Sequence, residues 1–338
     1  MNLSELGQKL NLPTFGNGDL NIVGVRDLAF PTPISDEHIY FVASKKVLEK
    51  NSSASSIKIV LTTPKLKSEF PNGLVVEEAE AKLYLAKLLQ IFDRKPNFGT
   101  GISPKASIHP SAKLGKNVTV LDFAVVMEDA EIGDDSVIHP HAVIEPRARI
   151  GKNTVIRANS VIGYDCVLGE NCLVHSNTTI GADGFGFLDH KGERIKIPQI
   201  GNVIIGNHVE IGAGCTIDRA AIESTSIGNY TKLDDQVHVG HNCRFGDYIY
   251  IAGCAGFAGG VVMDDYVIVG GQAAIAEHIH VKRGSIIMGL TGVTKDTEEK
   301  GMYFGIPARP ATEMLRIAAV LDQLPEISRK VKKLNLEK

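Results

Sequence analysis

The stretch LDDQVHVGHNCRFGD (233–247) crowds Asp234, Asp235, His238, His241 and Asn242 into fifteen residues. An imidazole near its ordinary pKa of about 6.5 exchanges protons at neutral pH, which a general base must do. If the chain climbs one turn every eighteen residues, the position above His241 is Gly259, and one turn higher lies residue 277, beside His278. A backbone N–H at Gly259, screened by no side chain, can hold a developing oxyanion. His278 can bind substrate or assist the proton transfer, and an acidic neighbour such as Asp234 can orient the site. Such a column suits attack of an amine on an acyl group. The competing reading of His241 is a corner histidine bonded to backbone.

The eighteen-residue step comes from an internal repeat. From Ile102 to Ile180 an aliphatic residue returns at every sixth position without a slip, through Ile108, Leu114, Val120 and onward. Four places after each there is usually a small residue, as at Ala106, Ala124, Ala142 and Cys166, and the position directly after the aliphatic is often Gly, as at Gly115, Gly133 and Gly151. An amphipathic helix would repeat at three and four, and a half-buried strand at two. A period of six fits short strands that turn a corner at each hexad, three hexads per coil. The aliphatic then fills a narrow triangular core, the small residue fills the corner, and the Gly relieves backbone strain. Coils this thin stabilise one another by stacking, with strands about 4.8 Å apart.

The repeat stops after Ile180 and resumes at Ile205, and the Gly-rich segment between reads as a loop, 183–203. It slips by four residues after Ile217, then runs unbroken from Ile227 to Val293. The hexads amount to about ten coils. The expected class is mainly β, a parallel β-helix over 99–305. Residues 1–98 lack the hexad and carry strand-like segments at 38–44, 56–63 and 73–78 with helical stretches between, which predicts a small α/β domain. The turn-rich linker 93–101 separates the two. Residues 306–338 form a helical extension, its first helix burying Met314, Leu315, Ala318 and Leu321 against the last coils or a neighbouring subunit. Lys330, Lys332 and Lys333 give it a basic face exposed to solvent.

Composition narrows the functions. The net charge of −3 argues against nucleic acid as a partner. Aromatic content is 6% with no Trp and 34 Gly, which suits a thin, turn-rich architecture. The five cysteines are odd in number and lack CxxC spacing, so they read as reduced, buried, small apolar residues. No signal peptide and no transmembrane segment is expected, and the predicted location is cytoplasmic. His109, His139 and His141 read as exposed positions on the early coils. A zinc site built from His238/His241 and His278/His280 is a further reading, since the gamma-class carbonic anhydrases hold zinc between three histidines of a trimeric β-helix. It loses ground because His241 and His278 fall on one edge of one chain and no further glutamate-and-histidine set accompanies them. No metal is expected.

Three stretches carry a resemblance to a known family: IGADGFGF (180–187), KIPQIGNVIIGNHVEIGAGCTIDRAAI (196–222) and HVGHN (238–242). They resemble the UDP-3-O-acylglucosamine N-acyltransferases of lipid A biosynthesis, and weaker similarity extends through the first domain. The resemblance implies a left-handed coil, contrary to the usual right-handed crossover. It also implies a homotrimer with sites in clefts between neighbouring chains. The implied reaction moves a 3-hydroxyacyl group from the 4'-phosphopantetheine thioester of acyl-carrier protein to the 2-amine of UDP-3-O-(3-hydroxyacyl)glucosamine, with no other cofactor. His241 becomes the catalytic base, His278 a second active-site histidine, Gly259 the oxyanion donor and Asp234 a residue lining the acyl-carrier arm.

Two departures stand out. Where the family presents Asn and Tyr to the uracil, this chain has Ser44 and Val47, with an aromatic at Phe41, which implies a weakened or rearranged uridine site. Gly292 stands where a Met can close the acyl groove. Lys295, past the last coil, is a candidate contact for the acidic carrier protein. The nearest rival is the O-acyltransferase of the same pathway, which lacks an N-terminal domain of this kind. A non-catalytic nucleotide-sugar-binding scaffold is the other alternative.

Overall fold

The computed structural model describes every residue except 29–32, 95–97, 99, 322 and 337–338. The linker expected at 93–101 therefore lies partly outside the described residues. The chain divides into two compact units, Met1–Asn97 and Phe98–Lys338.

In the first unit a five-stranded sheet runs in the order Thr14–Phe15, Asn72–Val75, Ile59–Thr62, His38–Val42, Gly24–Arg26. The outermost pair, Thr14–Phe15 with Asn72–Val75, is antiparallel and the remaining pairs are parallel. Helices Leu3–Leu10, Lys45–Glu49 and Ala81–Ile91 accompany it. The first helix begins with a capping box, Asn2 accepting from Glu5 N and Glu5 from Asn2 N.

The second unit is a parallel β-solenoid with three faces. Among the described residues face 1 has ten strands, from Ser107–Ile108 to Gly292–Val293; face 2 has nine, from Lys113–Leu114 to His280–Val281; face 3 has eleven, from Thr119–Val120 to Arg309–Pro310, the last of them antiparallel to its neighbour Met302–Phe304. Strand partners lie eighteen positions apart, Ile132 with Ile150 and Val239 with Phe257. The inward aliphatics keep their stacking across both interruptions: Leu168 pairs with Ile205 across the loop, and Ile217 with Val239 across the four-residue slip. The inward aliphatics Ile138, Ile144, Ile156 and Ile162 are completely buried in one continuous core.

Several expectations change. Gly115, Gly133 and Gly151 do not take up a left-handed backbone; that conformation falls to corner residues such as Asn117, Asp135 and Asn153, with φ from 54° to 58°. The glycines are required by close approach. A Cβ on Gly133 would lie 2.5 Å from Lys152 N, and one on Gly151 2.5 Å from the Gly169 carbonyl carbon, both in the next coil. Four cysteines are buried, and burial pushes the thiols of Cys166 and Cys215 up to about 11 and that of Cys243 to about 12. Cys254 is exposed, because it occupies a left-handed corner whose side chain points outward. His139 is buried and meets Phe98 edge-on at 4.8 Å, while His109 and His141 are exposed.

The loop holds an antiparallel hairpin, Phe187–His190 with Glu193–Lys196, closed by Lys191 and Gly192 at φ of 50° and 83°. Positive φ at both central residues is the geometry of a tight two-residue hairpin turn. At the far end lie helices Ala311–Leu321 and Leu324–Leu336. Met314 and Ala318 are half-buried, but Leu315 and Leu321 remain exposed on the single chain. Lys330 pairs with Glu326 at 2.9 Å, and the Lys333 side chain lies outside the described residues. Among the described residues no helix is long and apolar enough to cross a membrane.

Candidate active site

The corner between faces 1 and 2 follows strand His238–Val239 and carries Gly240, His241 and Asn242. The next two coils repeat it as Ala258, Gly259, Gly260 and as Ala276, Glu277, His278. His241 is half-buried, with its ring lying across Gly259: a Cβ there would sit 2.7 Å from both Nε2 and Cε1. His278 is exposed and covers Gly260 in the same way, its Nδ1 2.4 Å from where a Cβ would be. Backbone bonds tie the three levels together, Gly260 N donating to the His241 carbonyl at 2.8 Å and His278 N to the Gly259 carbonyl at 3.1 Å. Among the described residues no acceptor takes the Gly259 N–H. The structure thus brings His241, Gly259 and His278 together at one corner, with His241 beneath Gly259 and His278 one position along over Gly260.

Asp234 lies elsewhere. It occupies the corner between faces 3 and 1, across a strand from His241, where it accepts from Gly253 N at 3.1 Å and lines a separate groove with His175, Lys232, Tyr250 and Ile268. The hexad is the reason, since seven residues span a whole face and not one corner. Gly292 and Lys295 lie at the end of face 1, Lys295 exposed and Gly292 with Ile306 Cγ1 3.3 Å from where its Cβ would be. Phe41, Ser44 and Val47 belong to the first unit. Phe41 and Val47 are half-buried, and Ser44 is exposed at the start of the short helix without a side-chain capping bond.

Sequence reasoning missed several residues here. A cleft of about 470 Å³ beside His241 and Gly259 is also lined by Phe185, Asp218, His238 and Glu277. Asp218 is 7% exposed, with Oδ2 3.9 Å from His238 Nε2, while His238 Nδ1 lies 2.7 Å from Thr216 Oγ1. Glu277 could have been found, because it follows His241 by two full coils. Phe185 could not, since it comes from the aperiodic loop, whereas Asp218 follows the hexad residue Ile217 and lies one coil below Gly240. Gly184 packs so closely on His241 that a Cβ would lie 2.5 Å from the His241 Cβ. Beneath it sits Gln199, and among the described residues its Oε1 is the buried side-chain atom without a hydrogen-bond partner. His238 turns to Asp218, and no group of three or more metal-ligating side chains converges among the described residues.

Chemically, the corner offers a base, an unengaged backbone N–H against its ring, and an open wall. The family described as "Bacterial transferase hexapeptide (six repeats)" matches residues 100–146 and 147–182. A UDP-3-O-acylglucosamine N-acyltransferase of Coxiella burnetii (strain Dugway 5J108-111) is 37% identical over 341 residues, covering 98% of this chain and 96% of its own. Among solved structures, the UDP-N-acetylglucosamine acyltransferase of Francisella novicida superposes with a TM-score of 0.52 at 27% identity, over 64% of this chain and 73% of its own. That of Arabidopsis reaches 0.58 at 24% identity, over 64% and 77%, a likeness of fold.

Proposed function

Because the chain belongs to the UDP-3-O-acylglucosamine N-acyltransferase family, we propose that it moves a 3-hydroxyacyl group from acyl-carrier protein to the 2-amine of UDP-3-O-(3-hydroxyacyl)glucosamine. The observation that carries this reading is the His241 ring laid against Gly259. The amine attacks the thioester carbonyl while His241 takes its proton, and the carbonyl oxygen becomes an oxyanion facing the Gly259 N–H. Collapse expels the pantetheine thiolate, which recovers the proton from the His241 imidazolium. His278, one level higher, contacts the substrate.

Asp234 and His241 stand at opposite corners of face 1, so one chain cannot present both to one substrate. A homotrimer resolves this, with the Asp234 groove of one copy facing the His241 corner of the next and guiding the pantetheine arm. Exposed Leu315 and Leu321 on the C-terminal helix support contact between copies. Lys295 meets the acidic carrier protein, and use of that carrier places the enzyme in the cytoplasm. Phe41 and Ser44 form what remains of the uridine site.

The test is an acyl-transfer assay with purified protein, acyl-carrier-protein thioester and either UDP-3-O-acylglucosamine or UDP-N-acetylglucosamine. Acylation of the amine supports the reading. Acylation of the hydroxyl of UDP-N-acetylglucosamine would favour the O-acyltransferase alternative, and binding without turnover the scaffold.

Gly292 sets the acyl-chain preference in this scheme. With no side chain of its own, it lets the exposed Ile306 close over the backbone, Cγ1 3.3 Å from where a Cβ would be, and a long acyl chain lodges there by displacing that side chain. Each methylene buried there is worth about 0.8 kcal/mol, roughly a fourfold change in rate. The protein is expected to favour long acyl groups, and Gly292→Met to shift that preference shorter. Rates against carrier proteins of graded chain length decide it; a wild-type preference for short groups ends the idea.

A further inference from the structure

Asp218 ends the strand Thr216–Asp218 on face 1, one coil below Gly240. Its position along the strand would ordinarily leave the side chain in solvent. Instead it pairs with Ala182 at the root of the loop, through a local shift in register, and is 7% exposed.

The next residue explains how it is held. Arg219 is 1% exposed, and its guanidinium donates to the carbonyls of Gly181 at 2.8 Å, Gly201 at 3.0 Å and Tyr164 at 3.2 Å, lying 3.4 Å over the Tyr164 ring. Gly181 and Gly201 are the departing and returning stems of the loop. Arg219 therefore clasps both stems, and its own N–H donates to Ala182 O at 2.8 Å. Three of its five N–H donors go to backbone carbonyls and none bonds Asp218, so the guanidinium leaves the neighbouring carboxylate to face the cleft.

Four charged or titratable groups surround that carboxylate. His238 approaches from the strand above and His241 from its corner; Asp183, itself paired with Lys196, comes from the loop; Glu277 lines the same cleft two coils above His241. Burial pushes the Asp218 carboxyl above its usual range, against the opposing pull of His238 and His241, and Asp183 adds to the rise.

We propose that Asp218 is a positioning residue for the acyl transfer: its buried carboxylate, locked in place by Arg219, stabilises the His241 imidazolium as it forms and holds His238 turned away from it. This rests on His241 being the base. Asp218 keeps its charge throughout. The amine proton goes to His241 and on to the thiolate, while a fixed anion nearby favours the protonated state of His241 in between.

Asp218→Asn in the full-length protein tests this by keeping shape and removing charge. The expected result is a fall in kcat of roughly 10- to 30-fold with KM for the UDP-sugar substrate unchanged. Stability should move the other way. A carboxyl whose native pKa is raised binds its proton more tightly folded than unfolded, so stability declines as pH rises from the ordinary carboxyl range through the native pKa. Asparagine removes that loss, and the variant should melt at or above the wild-type temperature at pH 8. An unchanged kcat overturns the proposal, as does an activity loss matched by a lowered melting temperature. His241→Ala separates the failures: if it retains the wild-type rate, the general-base reading is wrong. If it is inactive while Asp218→Asn keeps its rate, only the inference about Asp218 falls.

Discussion

His241→Ala is expected to lower kcat at least about 100-fold, within the range removed with a positioned general base, while the fold stays intact. The ring makes no part of the inward apolar column. It lies at a corner, half-buried, bonded through Nδ1 to Asn242 Oδ1 at 3.1 Å and laid over Gly259. Alanine keeps the Cβ that packs against Gly184 and removes only the ring. Because the register bond from Gly260 N to the residue 241 carbonyl is backbone to backbone, the coil has no reason to open. Steady-state acyl transfer with thermal melting as a control checks this. A rate equal to wild type removes His241 from the base role.

The second large effect is expected at Gly259. Alanine there is conformationally ordinary, since Gly259 does not have a positive φ, unlike Gly260 at 72°. The added methyl meets the ring of His241, with Nε2 and Cε1 both 2.7 Å away. The ring must swing aside, and a misplacement of about 1 Å in a reacting group can cost on the order of 100-fold. The predicted signature is a fall in kcat of that size with the melting temperature nearly unchanged. A double-mutant cycle sharpens it. Once His241 is alanine, the methyl has no ring to displace, so His241→Ala/Gly259→Ala should be about as slow as His241→Ala alone. Losses that multiply would show that Gly259 acts independently of the His241 ring, and a wild-type rate for Gly259→Ala would show that the close approach has no catalytic meaning.

Much of this site was legible before any coordinates, and its legible part has one origin. In a solenoid, sequence interval becomes height, because backbone hydrogen bonds link each strand to the one eighteen positions on, as Val239 links to Phe257. The column His241, Gly259, Glu277 follows by counting, with His278 one position along from its top. The same rule, applied around the corner and not up it, separates Asp234 from His241, and reading adjacent letters as one cluster joined what a strand keeps apart. The hexad glycines were placed correctly and explained wrongly. The pattern marks where a side chain is forbidden, and only the neighbouring coil shows that the obstacle is backbone in contact.

The amino-acid order by itself determined the coil, its core of aliphatics, the two interruptions and the vertical neighbours of the base, because each depends on a local period that hydrogen bonding enforces. Tertiary structure alone decided that the 183–203 excursion folds back over the corner, roofs Asp218, sets Gly184 against His241 and spends Arg219 on its two stems. Those contacts join segments whose spacing carries no repeat, and an aperiodic segment finds its place through packing and buried hydrogen bonds that no interval in the chain encodes.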